Sequence, residues 1–235
     1  MKDKTLFISD LHLDPNQPAI TNTFYYFLDH IALDAKALYI LGDFFESYVG
    51  DDDRDQYTQL IKHALKRVTG LGLPIFLMHG NRDFLMGEKF ESETGVKFIS
   101  DPTIISLNKQ RILLMHGDSL CTDYKSHQRF RKIIHNRWVQ KLFLLLPLSF
   151  RQKIAAQLRQ ESRKYNQTKS AEIMDVNQTA INKALIHHHA TLLIHGHTHR
   201  PMMSDKRIVL DAWHEHGHYL QIDSSGKWEA ITIPH

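Results

Sequence analysis

Residues 37–43 read ALYILGD, a short apolar run that ends abruptly in a turn carrying a carboxylate. The same arrangement stands on either side of it, in LFIS before Asp10-Leu-His12 and in IFLM before Gly80-Asn81-Arg82-Asp83. The segments between the three runs are each long enough for a helix, which is the punctuation of βαβ units. Residues 18–34 open with Pro18 and space their apolar residues three and four apart, as a helix lying on a sheet requires. Residues 54–70 do the same and stop at Gly70. Because such crossovers are right-handed, a parallel sheet with helices on its faces is predicted.

Further along come strand-like runs at TIISL, RILLM, TLLIH, RIVLDAW, YLQID and WEAITI, several joined by turn signals such as Asn108 and Ser224 to Gly226. They are expected to form a second, mixed sheet, giving an α/β sandwich. Residues 122–188 break this rhythm with a long helical stretch, in which WVQKLFLLLPLSF is apolar almost all round. The reading is therefore a core of residues 1–121 and 189–235 with a helical insertion at 122–188.

With 235 residues and 42% apolar composition the chain can bury a sizeable core, which excludes a disordered or fibrous protein. The net charge of +3 is spread rather than gathered into an arm, so no polyanion-binding tail is indicated. The one cysteine, Cys121, fits a reducing compartment and rules out a thiolate metal cage. MKDKTLFISDLH is too poor in apolar residues for a signal sequence, and no stretch reaches the roughly 18 apolar residues of a membrane span. A cytoplasmic address is expected, with any membrane contact peripheral.

Five segments carry the chemistry: Asp10-Leu-His12, Gly42-Asp43, Gly80-Asn81-Arg82-Asp83, His116-Gly117-Asp118 and Gly196-His197-Thr198-His199. Each follows an apolar run, and ligands in open α/β sheets sit outside the carboxyl ends of the strands. One such segment alone is usually a turn or a helix cap. Five together offer carboxylate oxygen, amide oxygen and imidazole nitrogen, a donor set for Mn, Fe, Zn or Mg. In extended backbone, residues two apart share a side, so Asp10 with His12 and His197 with His199 are expected to present paired ligands.

The order DxH, GD, GN, HGD and GHTH resembles the calcineurin-like metallophosphoesterase superfamily over most of the chain. The resemblance implies a four-layer α/β/β/α sandwich with a helical lid, and two metals that share one carboxylate and activate the water attacking phosphorus. Carried over by position, Asp10, His12, Asp43 and His199 hold the first metal, and Asp43, Asn81, His116 and His197 the second. His195 falls outside the motif and is read as a strand-terminal histidine with a structural hydrogen bond. Many members continue GN with His, a candidate general acid, where this chain has Arg82. Arginine stays charged and grips phosphate bidentately but is a poor proton donor, so a good leaving group is implied and diphosphate cleavage is favoured over monoester hydrolysis.

GNRDFL, HGDSLCTD, SRKYNQTKS, IMDVNQ and IHGHTHRP together closely resemble the diphosphatases that act on UDP-2,3-diacylglucosamine in lipid A biosynthesis. That resemblance implies a UDP-linked diacylated glucosamine substrate, two Mn ions per chain, and peripheral attachment to the cytoplasmic side of the inner membrane. It assigns catalysis to Asn81 and Arg82, and substrate contacts to Asn81, Arg82, Ser162, Asn166, Lys169 and His197. The family shows two acids after LCT, whereas here Asp123 is followed by Tyr124, a departure that leaves the second acid's contact unfilled. Trp138, Leu142, Phe143, Leu144, Leu145, Leu146, Leu148 and Phe150 offer an apolar patch suited to gripping acyl chains. His187, His188 and His189 are read as a solvated helix end. The rivals are another dinuclear-metal phosphoesterase, such as a nucleotide or phosphoprotein phosphatase or a nuclease, and a silent metal-binding module. A nuclease needs a basic groove with aromatic platforms rather than an aliphatic pocket. Neither a nucleic-acid partner nor an obligate protein partner is expected.

Overall fold

The structure is a computed structural model in which residues 3–166 and 175–233 are described. The chain runs β1 (Thr5–Ile8), α1 (Pro18–His30), β2 (Ala37–Leu41), α2 (Gln56–Gly70), β3 (Ile75–Met78), α3 (Glu88–Thr94), β4 (Lys97–Ile99), β5 (Thr103–Leu107) and β6 (Gln110–Met115). Four helices follow, α4 (Lys125–Ile134), α5 (Arg137–Leu144), α6 (Leu148–Asn166) and α7 (Gln178–His187). The chain returns through β7 (Leu192–His195), β8 (Met202–Met203), β9 (Arg207–Val209), β10 (Gly217–Ile222) and β11 (Trp228–Ile233).

Strand alternation sorts the side chains into layers. On β1, Leu6 and Ile8 point into a core shared with α1, α2 and α3, while Phe7 points the other way, into the space between two sheets. On β6, Ile112 and Leu114 meet Phe7, Leu41 and Met78 in that space, and Leu113 and Met115 face outward to Ile181 and Leu185 of α7. The result is the four-layer α/β/β/α sandwich, with α7 forming the outer layer on the second sheet. Both faces of the central strands are buried, which is why the runs read as continuously apolar. Truncating a wholly buried residue such as Leu77 to Ala is expected to cost about 2–5 kcal/mol.

The first sheet has the order β11-β10-β1-β2-β3-β4 and the second β5-β6-β7-β9-β8. β1 to β4 are parallel, as the βαβ reading requires. The runs YLQID and WEAITI, expected in the second sheet, belong instead to the first as β10 and β11. β1 would otherwise be an unprotected edge, and β10 pairs with it antiparallel to satisfy its backbone groups. The helix expected over 18–34 stops at His30 and continues as a 3-10 turn at Ala32–Asp34. α2 is capped by Asp55, whose side chain accepts from the Thr58 amide.

Candidate metal centre

Every strand that ends beneath the site delivers its residue on the next turn. Asp10 and His12 follow β1, Asp43 follows β2, Asn81 follows β3, His116 follows β6, and His197 and His199 follow β7. The loops after β1 and β2 are joined by the amides of Asp10, His12 and Leu13, which donate to the carbonyls of Gly42, Asp43 and Phe44 at 3.1, 3.0 and 2.9 Å. The amide of His197 donates to Asp10 Oδ2 at 2.8 Å and that of Arg82 to Asp43 Oδ1 at 2.9 Å, so two acids also organise neighbouring turns. Close approach demands glycine at two points. A Cβ on Gly80 would stand 2.2 Å from the Asp43 amide, and one on Gly196 would stand 2.1 Å from Asp10 Oδ2.

Asp10, His12, Asp43, His197 and His199 all have positive φ, between 47° and 67°. This corrects the expectation from strand alternation. β1 ends at Ile8 and β7 at His195, so these candidate ligands lie in left-handed turns beyond the strands, a conformation costing roughly 1–3 kcal/mol at a non-glycine residue. Nor do His197 and His199 act as a pair. Asp10, His12 and His199 form one group of donors and Asp43, His116 and His197 a second, the donor atoms of each lying within 4.8 Å of one another. Asn81 Oδ1 lies 3.1 Å from both His116 Nε2 and His197 Nδ1, and so joins the second group.

The donor chemistry fits a pair of cations. His12 Nδ1 lies 3.0 Å from Glu46 Oε2, a contact that favours the proton on Nδ1 and leaves a lone pair on Nε2. His199 Nδ1 faces His214 Nε2 at 3.2 Å, and donation there likewise leaves a lone pair on His199 Nε2. The two Nε2 atoms face each other at 3.3 Å, an arrangement that a shared cation stabilises. In the second group His116 Nδ1 is fixed by the Leu41 carbonyl at 2.9 Å, which turns Nε2 toward Asn81 Oδ1. Burial opposes charge on His116, but Asp43, Asp118 and Asp10 outweigh it and push its pKa up to about 9. A field that holds a proton there also favours a metal ion in its place. Burial and the nearby His116 drive His197 well below the ordinary imidazole range, leaving it a neutral donor. The wholly buried Asp10 stays ionised despite its burial, through His199, His116 and His12.

Several residues beside the ligands had no role in the sequence reading. Glu46 stands three residues after Asp43 and holds His12. Burial would raise its pKa, but the His12 hydrogen bond and the charges of Arg82 and Arg159 hold it at about 2. Asp83 accepts from the Gly80 and Phe44 amides at 2.7 and 2.6 Å, fixing the turn that presents Asn81. Burial and the neighbouring Asp43 push its pKa up to about 7. The acid of GNRD was visible as a motif, but its orienting work depends on a contact with the turn after β2. His195 is buried and holds a structural hydrogen bond, its Nδ1 donating to the Gly196 carbonyl at 2.8 Å while Nε2 accepts from Arg207 at 3.0 Å.

Beside the second group opens a cavity of about 610 Å³ with mostly apolar walls. Asn81 and Arg82 line it from the core, and Phe130, Val139, Phe143 and Leu158 of the insertion line it with Ser162. Arg82 Nε is buried without a hydrogen-bond partner among the described residues. Tyr124 and the stacked His127 also line it, so the position of the missing acid lies at the cavity wall. Asn166 closes α6, and Lys169 lies outside the described residues. The apolar run is largely elsewhere. Of its residues Val139 and Phe143 line the cavity, while Trp138, Leu142, Leu144, Leu145 and Phe150 are exposed, Leu145 by 81%. The helical period explains the split, because α5 turns one face inward and the rest outward. His187 to His189 form the end of α7, and Arg111 donates to the carbonyls of His188 and His189.

A four-layer sandwich with two hard-donor groups meeting at one carboxylate has the organisation of a dinuclear metallohydrolase. The calcineurin-like phosphoesterase family profile matches residues 4–201, and the chain belongs to that family. It is 48% identical over 233 residues to the UDP-2,3-diacylglucosamine hydrolase of Coxiella burnetii (strain RSA 331 / Henzerling II), covering 96% of each chain. It is 44% identical over 238 residues to the UDP-2,3-diacylglucosamine hydrolase of Yersinia pseudotuberculosis serotype O:1b (strain IP 31758), covering 98% of this chain and 99% of that one.

Proposed function

We propose that this protein hydrolyses the diphosphate bond of UDP-2,3-diacylglucosamine, releasing UMP and 2,3-diacylglucosamine 1-phosphate for lipid A biosynthesis. The observation that carries the reading is the junction at Asn81 and Arg82, where the donor groups meet an aliphatic cavity. In this reading Asp10, His12, Asp43 and His199 hold one Mn ion and Asp43, Asn81, His116 and His197 the other. When bound, the ions supply positive charge at phosphorus and an activated water.

The chain's own residues do the rest. Arg82, its backbone fixed by Asp43, turns a guanidinium toward the cavity to clamp a phosphate oxygen. It is poorly suited to protonating an alkoxide, which matches a phosphate leaving group and not a sugar or serine one. Ser162, Asn166 and Lys169 belong to the sugar and acyl side of the site in this reading, with His197 at the phosphate. Residues 122–188 supply the lid, whose inner face takes the acyl chains, while α7 at its end also covers the core. The outward residues Trp138, Leu142 and Leu145, with Arg137 and Lys141 beside them, support peripheral attachment at the cytoplasmic face of the inner membrane. No helix among the described residues is long and apolar enough to cross a membrane.

Turnover of UDP-2,3-diacylglucosamine, a simple phosphomonoester and single-stranded DNA, compared with added Mn, tests this reading. The diacylated nucleotide is expected to be preferred by orders of magnitude, with label from oxygen-18 water appearing in UMP. Preference for the monoester or for DNA would assign the site to another phosphoesterase activity.

A further inference from the structure

The helix α6 reaches the candidate metal centre through Arg159, which also lines the cavity. Arg159 Nη1 contacts Glu46 Oε1 at 2.9 Å, and Glu46 Oε2 contacts His12 Nδ1 at 3.0 Å. One carboxylate thus divides its oxygens between the insertion and a candidate metal ligand, and it is only 8% exposed. α6 grips the same loop further along, where Arg151 pairs with Asp52 and donates to the Val49 carbonyl, and Gln152 donates to Asp53 at 3.0 Å. Among these contacts only Arg159 leads on to a ligand.

We propose that Arg159 is a positioning residue for the metal centre, acting through Glu46 on His12, so that docking of α6 and ion binding strengthen each other. A carboxylate that orients a ligating imidazole fixes both its tautomer and its direction, and disturbing it weakens metal binding about 10- to 100-fold. Arg159 holds Glu46 where its other oxygen faces His12 Nδ1, which leaves Nε2 for the ion. Linkage is reciprocal, so the ion must in turn favour the docked α6.

This rests on the two-ion reading, and the experiment separates the two. Full-length protein stripped with a chelator is titrated with Mn(II) by calorimetry. Wild type is expected to bind two ions, and failure to bind would overturn the ion reading itself before any variant is compared. Arg159→Gln is expected to weaken one site about tenfold, Arg159→Lys to recover much of that loss, and Glu46→Gln to weaken it at least as far. Because Arg159 acts through Glu46, the double variant should be no worse than Glu46→Gln. Asp52→Asn, which removes an α6 contact leading to no ligand, should leave affinity within twofold. Wild-type affinity in Arg159→Gln, or additive losses in the double variant, overturns the proposal. Should Arg159→Gln fail to fold, hydrogen exchange decides. Mn is expected to slow exchange of the α6 amides in wild type and not in Glu46→Gln, and equal slowing in both also overturns it.

Discussion

Asp43 Oδ2 lies 3.8 Å from Nε2 of His12, on the side of the first donor group. Its Oδ1 lies 3.8 Å from Nε2 of His116, on the side of the second. One carboxylate therefore faces both groups, and its loss should remove the pair rather than one ion. Asp43→Ala is expected to fold and to reduce Mn-dependent turnover to background. Metal content and activity of the purified variant check this, and near-normal turnover would reject the bridging assignment.

Arg82→Lys keeps the charge and loses the planar fork. If the guanidinium clamps phosphate bidentately, kcat/KM should fall more than about tenfold, or about 1.4 kcal/mol of transition-state stabilisation. Kinetics indistinguishable from wild type would make Arg82 an ordinary polar turn residue.

The split of the apolar run separates two functions. Phe143→Ala removes cavity wall, and with roughly 0.8 kcal/mol at stake per buried methylene, kcat/KM for the diacylated substrate should drop several-fold while an unacylated diphosphate is spared. Leu145→Ser, on the outer surface, should leave both detergent-dispersed substrates unaffected and reduce co-sedimentation with anionic vesicles. Equal loss on both substrates with a lowered unfolding midpoint would mean that Phe143 only holds the insertion together.

His195 should make the fold acid-sensitive. Burial, with Arg207 beside it, lowers its pKa from the ordinary 6.5 to about 4. A histidine depressed in the folded state contributes stability that is fully present above pH 6.5 and is lost as pH falls through 4, because the unfolded chain takes up the proton first. In chelator-treated protein, where ion loss does not enter, Tm is expected to fall more steeply across that window than in His195→Gln. Parallel profiles would show that His195 is not the sensitive group.

The apolar runs and their polar ends were legible because both follow local rules: buried parallel strands read as unbroken apolar runs, and ligand turns cluster at their carboxyl ends. The side of β1 on which YLQID pairs was not legible, since it depends on which edge lacks a partner in three dimensions. The left-handed turns at Asp10 and His199 were hidden for another reason, because neither Asp nor His announces positive φ as glycine does. Glu46 lacked a signal because its role depends on His12 and Arg159, distant in the chain. Leu145 and Phe143 look alike in sequence, and only the rotation of α5 separates them.

The pairing of β1 with β10 places the first strand between partners made early and partners made last. Thr5 sits opposite Ile222, and the donor group of Asp10 is completed by His199. During synthesis β1 and β2 can meet while most of the chain is still unmade, but the centre cannot take its final shape until residues near 222 have left the ribosome. Nascent chains would therefore pass through translation without a finished metal centre, and hydrolytic activity would begin only after most of the protein had been made.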